Sequence, residues 1–259
     1  MILLMLIWKD RKEKGLLGIA GASLALLIVV KCRFPLATPL LGSALGNFVS
    51  SEAFSDVLGD LLVGLISAYI FYLLIDLVPR AKRENSIMQV LNLLITSVVD
   101  AYERTRIFGH ETAISVLDTS ILEPQRLEQL ILAVRAVCSP NIKFLKLKFA
   151  METAHSRYSD FQGTLGMATE LSPEHALAWL GVTDKIRLLA EAYGTQPANP
   201  WIENFDGKPT VEELLDSQIN KKYILYQNAM DDFESTLQLR VMEFFEEARG
   251  WILMTRSSS

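Results

Sequence analysis

The residue types that most often carry catalysis or bind metals are few and scattered in this chain. Its three histidines, His110, His155 and His175, lie too far apart to form a metal-binding motif. His110 is followed by Glu111, and a single pair of this kind is typical of a solvated helix end. The sequence contains no phosphate-binding loop, dinucleotide-binding glycine pattern or paired-cysteine zinc motif. We therefore expect no enzymatic activity, no metal and no cofactor.

The apolar residues are concentrated in the first eighty positions. Of the 259 residues, 50% are hydrophobic and only 21% are charged, and the excess lies in two runs. Gly15 to Val30 contains no charged residue, and Leu61 to Ile75 lies within a wider apolar run from Val57 to Val78. At 1.5 Å per residue, each run has nearly the length that crosses about 30 Å of hydrocarbon. The runs therefore predict two transmembrane helices.

A cleaved signal peptide is the alternative for the first run, because this run is the shorter one and follows basic residues. The residues after its apolar centre, Val29 to Phe34, do not contain two small residues at the spacing of a cleavage site. We therefore expect an uncleaved helix.

Basic residues flank the two runs unevenly, and this predicts their orientation. Lys and Arg are retained on the cytosolic side during insertion. Four of them precede the first run, three follow the second, and only two lie between. We expect two spans in a bacterial inner membrane, with both termini cytosolic and the connection from about Lys31 to Asp56 outside. The residues are Lys9, Arg11, Lys12 and Lys14, then Arg80, Lys82 and Arg83, and between the runs Lys31 and Arg33.

The predicted topology places the two cysteines, Cys32 and Cys138, on opposite sides of the membrane, so they cannot pair within one chain. A disulfide between Cys32 of two protomers remains open, although an unpaired thiol is favoured. The connection that follows Cys32 is unusually apolar. It predicts a short helix on the outer leaflet or a segment that re-enters the membrane within an oligomer, and the first is favoured.

Small and polar residues within the two runs are the candidates for helix packing or for a pore. The small ones allow close approach of helices in lipid, although glycine is also common in membrane helices without such a role. The aspartate lies near an interface, where water can reach it, whereas the tyrosine hydroxyls lie deeper and need partners on a neighbouring helix. The candidates are Gly18, Gly21, Ala22, Asp60, Tyr69 and Tyr72.

From Glu84 onward, the apolar residues repeat at helical spacing, and the helix starts can be recognised. Glu123, Ser139 and Ser172 each precede a proline, which is typical of a cap followed by the first helical residue. The helix after Ser172 is predicted to end near Gly194. No strand-like alternation stands out. We predict an all-α fold, with an N-terminal two-helix transmembrane hairpin in residues 1–83 and a cytosolic helical bundle in residues 84–259.

The longest predicted helix follows Thr210, which forms a capping box with Glu213. Its apolar stripe runs from Leu215 to Ala248 and needs a long partner surface. That partner is either the rest of its own domain, which is favoured, or the same helix in another protomer. Before it lies a proline-rich loop in which Trp201 and Phe205 are expected to be anchors.

Charge restricts the partners of the predicted cytosolic part. From Glu84 onward there are 16 Lys and Arg against 24 Asp and Glu, a balance that opposes direct nucleic-acid binding. One basic cluster, Lys143, Lys146 and Lys148, alternates with apolar residues. It is an interface candidate for anionic lipid or nucleic acid, although a solvated helix edge is favoured.

The hairpin resembles the small two-transmembrane effectors of bacterial anti-phage systems, such as retron toxins. The resemblance rests on residues 67–80, whose sequence is SAYIFYLLIDLVPR, and on the acidic helical domain behind them. It is architectural and assigns no site residues. It implies a protein that a partner complex holds inactive and that, once released, oligomerises and damages the inner membrane.

Three functions are compatible with the sequence. The leading hypothesis is a membrane-disrupting effector whose hairpin permeabilises the inner membrane under control of the helical domain, plausibly in phage defence by abortive infection. Its partners would be the lipid bilayer and a second copy of the chain, or a regulatory protein or ribonucleoprotein complex. The alternatives are a membrane-anchored scaffold or signalling adaptor without toxicity, and an enzyme with a scattered active site.

Overall fold

A computed structural model describes residues 11–31, 52–103, 113–136, 140–204 and 206–257. The described residues form helices, turns and loops and contain no β-strand, which confirms the predicted all-α class. By their internal contacts, the residues divide into two compact units, Met1–Asn85 and Ser86–Ser259.

The first unit is built on two antiparallel helices, α1 (Arg11–Lys31) and α2 (Glu52–Tyr72). One contact at each end fixes their register. The hydroxyl of Tyr72 donates to Oε1 of Glu13 over 2.5 Å, and Nζ of Lys31 lies 3.9 Å from Oδ1 of Asp56. Along α1, the residues that make these contacts are about 27 Å apart at 1.5 Å per residue. The two helices therefore lie side by side over their whole apolar length.

A π turn, Leu73–Leu77, follows α2 directly and leads into α3 (Val78–Glu103). The N–H of Val78 donates to the carbonyl of Leu73, five residues earlier. The cause is Pro79, which has no N–H to donate and whose ring would collide with the carbonyl four residues before it in an ordinary α-helix. The wider turn lets the helix continue past the proline.

The second unit is a bundle that begins at Ser86, within α3. As predicted, Pro124 and Pro173 are the first residues of helices, and Ser172 is a cap, since its Oγ accepts from the N–H of His175 over 3.2 Å. Glu123 makes no side-chain cap bond, and Ser139 lies outside the described residues. The helix after Ser172 ends at Ala190, just before Gly194. The elements after α3 are the 3₁₀ turns Ile114–Val116 and Thr119–Leu122, α4 (Pro124–Arg135), α5 (Pro140–Gly163), α6 (Leu165–Leu171), α7 (Pro173–Ala190), the 3₁₀ turn Glu213–Leu215 and α8 (Ser217–Ser257).

The predicted start of the longest helix was wrong. Thr210 and Glu213 do form a capping box, with Thr210 N donating to Glu213 Oε2 over 2.7 Å, but the box closes only a 3₁₀ turn. Asp216 is extended and accepts from the N–H of Gln218 over 2.8 Å. Asp216 is therefore the cap of α8, and Leu215 lies outside α8 with 84% of its surface exposed.

The core of the bundle is aromatic. Trp179 stacks on Phe161 at 5.4 Å and meets Trp251 edge-on at 5.3 Å, and all three are buried. The stripe on α8 is buried from Phe233 to Ala248, so it packs within its own unit. The loop before α8 is anchored as predicted by Trp201, whose ring packs edge-on against Tyr223 at 5.4 Å. Phe205 lies outside the described residues.

Candidate functional site

The outer surface of the first unit is apolar around both helices. Large aliphatic and aromatic side chains of α1, α2 and the π turn are at least half exposed: Ile19, Leu24, Ile28, Val57, Leu61, Ile70, Phe71, Leu74 and Ile75. The continuous helical stretch Asp56–Glu103 contains a segment that is long and apolar enough to cross a membrane. A surface of this kind is rare on a monomeric protein in water.

Polar groups lie inside the same unit, between the helices. Glu13 is only 7% exposed and Ser23 only 6%. Oε1 of Glu13 accepts from Tyr72, whereas Oε2 of Glu13 and the hydroxyl of Tyr69 are buried without a hydrogen-bond partner among the described residues. The neighbouring-helix partner expected for a tyrosine hydroxyl therefore exists for Tyr72, and it is Glu13.

Sequence reasoning missed Glu13 because it lies within the basic segment Lys9 to Lys14 and reads there as one charge among several. A signal was nevertheless present. Glu13, Leu17 and Ala20 are spaced i, i+4, i+7, which places them on one helical face. Leu17 and Ala20 are half-buried, so this face is the one turned towards α2.

Gly18 and Ala22 lie on the opposite face of α1, Gly21 lies at the side of the helix next to Gly18, and all three are exposed. A Cβ added to either glycine would meet no atom within 4 Å outside its own helix turn. These residues therefore do not pack against α2, and the structure separates them from Tyr69 and Tyr72. Together with Gly15 and Ala25, which are also exposed, they form a small-residue face that α2 leaves uncovered.

Asp60 lies near the other end of the hairpin and is exposed. One turn before it, Asp56 pairs with Lys31, and both side chains of that pair are exposed as well. An exposed pair of this kind contributes little to stability in water. The connection 32–51, with Cys32, lies outside the described residues, as does Cys138.

The basic cluster on α5 is not one surface. Nζ of Lys146 lies 5.6 Å from the ring centre of Tyr102, whereas Nζ of Lys148 lies 4.0 Å from Oε1 of Glu152. Residues two apart on an α-helix point about 200° away from each other, so the two lysines diverge. Lys143 lies near the start of α5, and its side chain is not described.

Two surface pockets lie in the bundle. The larger, about 470 Å³, is lined mainly by acidic residues and includes Arg126. The smaller, about 290 Å³, lies between α3 and the end of α8 and is lined by residues such as Met88, Asn92 and Thr255. In the part of the chain that the structure describes, no three His, Cys, Asp or Glu side chains are placed to hold a metal ion.

Comparison of the chain with protein-family models, with curated proteins and with solved structures gave no match. The fold defines the class: an all-helical protein in which one helix contains a segment able to cross a membrane. A more specific assignment of function rests on the geometry of each of the two units.

Proposed function

We propose that α1 and α2 form a transmembrane hairpin in a bacterial inner membrane, and that this hairpin permeabilises the membrane under control of the helical bundle. The observation that carries the proposal is the reversed polarity of the hairpin. Ile75 and Val57 are 72% and 70% exposed, whereas Glu13 is 7% exposed. Lipid accepts such an outer surface and favours polar groups that bond to one another inside.

The register of the helices supports two spans. The contacts Glu13–Tyr72 and Lys31–Asp56 lie about 27 Å apart along α1, close to the roughly 30 Å thickness of hydrocarbon. Two antiparallel spans place both termini on one side, and the basic residues before α1 and after α2 favour the cytosol for that side.

The uncovered face of α1 supports action through self-association. Helices in lipid associate where small residues let their backbones approach, and Gly18 and Gly21 are open to such an approach. We propose a homo-oligomer of hairpins as the lesion. A protein or ribonucleoprotein partner that binds the bundle would keep it silent, as expected for abortive infection in phage defence.

One observation favours a second function, that of a membrane-anchored scaffold or signalling adaptor. The bundle exposes Ile202, Val211 and Leu215 by 79%, 81% and 84%. Where exposed aliphatic side chains of this size lie together, they are typical of surfaces that bind other proteins. In this function the hairpin would be only a tether, and its small-residue face would not matter.

Induced expression of the full chain, beside a chain that begins at Glu84, tests the proposal through membrane potential and viability. We expect depolarisation by the full chain alone. Gly18→Leu with Gly21→Leu should abolish it because the larger side chains block helix approach, whereas Gly18→Ala with Gly21→Ala should retain most of it. Both variants stay apolar and should insert equally. Polarised, viable cells with the full chain in the membrane would contradict the effector and favour the scaffold.

A further inference from the structure

The hydrogen bond between Glu13 and Tyr72 lies where the two helices of the hairpin begin and end. Glu13 is in the first turn of α1, and Tyr72 is the last residue of α2. The hydroxyl donates to the carboxylate over 2.5 Å, in the range of short hydrogen bonds to charged acceptors. The bond therefore joins the two ends of the hairpin that lead to the rest of the chain.

Because Glu13 is buried, loss of this hydrogen bond costs more free energy than loss of an exposed one. A carboxylate taken out of water is costly unless it is hydrogen-bonded, and Glu13 is 93% buried, with the Tyr72 hydroxyl as the donor to its Oε1. Its Oε2 already lacks a hydrogen-bond partner in the part of the chain that the structure describes. Loss of the Tyr72 hydroxyl would leave the carboxylate buried without that bond, and the end of the hairpin would then separate to let water reach it.

The hydrogen-bond pattern of the helix changes directly beyond Tyr72. The π turn Leu73–Leu77 starts at the next residue and interrupts the α-helical hydrogen-bond pattern. Turns of this kind are frequent at functional positions in helices. The contact with α1 therefore lies at the last α-helical residue of α2, directly before this irregular turn.

We propose that Glu13 and Tyr72 form a latch that holds the cytosolic ends of α1 and α2 together, and that its release frees the hairpins to form the lesion. The cytosolic position of these ends and the release of the latch rest on the proposed function. The contact that holds the helix ends together does not. A cytosolic partner could then control the hairpin without any contact within the membrane, because the latch lies where the hairpin meets the rest of the chain.

Distances between spin labels in the full chain, reconstituted in lipid nanodiscs, test the latch. Cys32 and Cys138 are replaced by Ser, and labels are placed at Leu16 and Ile70 near the latch. A second sample carries labels at Ile28 and Val57 near the opposite end. We expect Tyr72→Phe to lengthen and broaden the distance distribution of the first pair and to leave the second unchanged.

Tyr69→Phe is the matched control, because the Tyr69 hydroxyl lies one turn earlier on α2 and has no hydrogen-bond partner within the described ranges. We expect it to change neither distance. If Tyr72→Phe does not accumulate in the membrane, Tyr72→Leu removes the same hydroxyl and likewise leaves the buried Glu13 carboxylate in place. An unchanged first distance on loss of the bond, or an equal change with Tyr69→Phe, would overturn the latch.

Membrane potential in cells then separates the latch from the proposed function. At equal protein level, we expect Tyr72→Phe to depolarise cells at least severalfold faster than the unaltered chain. If the distance lengthens while neither chain depolarises cells, the latch stands and the effector function fails. If the unaltered chain depolarises cells and the opened variant is no faster, release of the latch is not the activating step.

Discussion

The hairpin and the bundle are built with opposite polarity. In the bundle, Trp179 and Trp251 are buried in an aromatic core, and acidic residues lie on the surface. In the hairpin, a carboxylate is buried, and aliphatic residues such as Ile75 and Leu61 are exposed. Each arrangement is stable only in its own solvent, because water drives apolar groups together and lipid does not. The difference in polarity is what the proposed insertion of the hairpin into lipid requires.

The two units also differ in what fixes their helices. The bundle relies on large side chains that fill its interior, as where Trp179 stacks on Phe161. The hairpin has small residues on the face away from α2 and a polar contact at each end. Substitutions of the same kind should therefore have different effects in the two units.

The largest effect is expected from emptying the bundle core. Trp179→Ala should lower the free energy of unfolding by about 3–5 kcal/mol, since it removes a fully buried ring and leaves a cavity. Urea unfolding of the detergent-solubilised full chain, followed by circular dichroism, measures it. Phe71→Ala, at an aromatic side chain that is 62% exposed in the hairpin, is the control and should leave this transition in place. Equal shifts would mean that the hairpin contributes to the same core.

A lysine on the outside of each unit should distinguish the two solvents. Leu65 in α2 and Leu253 in α8 are 44% and 47% exposed. Leu65→Lys should make membrane insertion less favourable by about 2.5–3.5 kcal/mol, the cost of a charge at the centre of a spanning helix. Leu253→Lys should change insertion and bundle stability by less than about 0.5 kcal/mol. The fraction of protein that resists carbonate extraction measures insertion, and equal fractions would contradict a lipid-facing α2.

Loss of one buried hydrogen bond in the bundle should have a smaller effect. Nε1 of Trp251 donates to Oδ1 of Asn92 over 2.9 Å, and Trp251 is 1% exposed. Asn92→Ala should destabilise the bundle by about 1–3 kcal/mol, because it leaves the indole N–H buried without a partner. Asn228→Ala, at an exposed position of α8, is the control. The same unfolding midpoint for both variants would show that water replaces the amide.

The smallest effect is expected at the cap of α7. The Ser172 hydroxyl and the backbone N–H of Glu174 hold the pKa of the Glu174 carboxyl below its ordinary value. A depressed pKa contributes stability that is present above the unfolded-state pKa and is lost as the pH falls through the folded-state pKa. Ser172→Ala should cost about 1 kcal/mol as a lost cap and raise the pKa of Glu174.

Nuclear magnetic resonance titration of Glu174, with unfolding midpoints between neutral and acid pH, checks both parts of this prediction. Ser159→Ala, at an exposed position within α5, is the control and should leave the titration unchanged. A pKa of Glu174 that is the same with and without the Ser172 hydroxyl would refute the assigned cause.

Local features of the fold could be predicted from the sequence, because they depend on neighbouring residues. Proline at the first helical position marked α4 and α7, and the stripe on α8 marked its buried face. The start of α8 was misplaced because two caps, Thr210 and Asp216, lie six residues apart and only tertiary packing decides between them. Likewise, Pro79 indicated an irregular helix without specifying a π turn.

The candidate site was less accessible from the sequence. The partner of Tyr72 lies 59 residues away, and the spacing of Glu13 with Leu17 and Ala20 indicates a shared helical face without indicating which helix packs against it. The basic cluster is a different case, since the divergence of Lys146 and Lys148 follows from helix geometry alone. The small-residue face of α1 could be recognised from spacing, but only the position of α2 indicates that the face is uncovered.

The central claim is that the hairpin crosses the membrane twice and returns the chain to the cytosol. The two native cysteines test it directly, because Cys32 follows α1 and Cys138 belongs to the bundle sequence. Spheroplasts are treated with a membrane-impermeant maleimide before and after lysis, with Cys32→Ser and Cys138→Ser as single-site controls. The account predicts that Cys32 is labelled in intact spheroplasts and Cys138 only after lysis. Labelling of Cys138 before lysis, or protection of Cys32 until lysis, would contradict it.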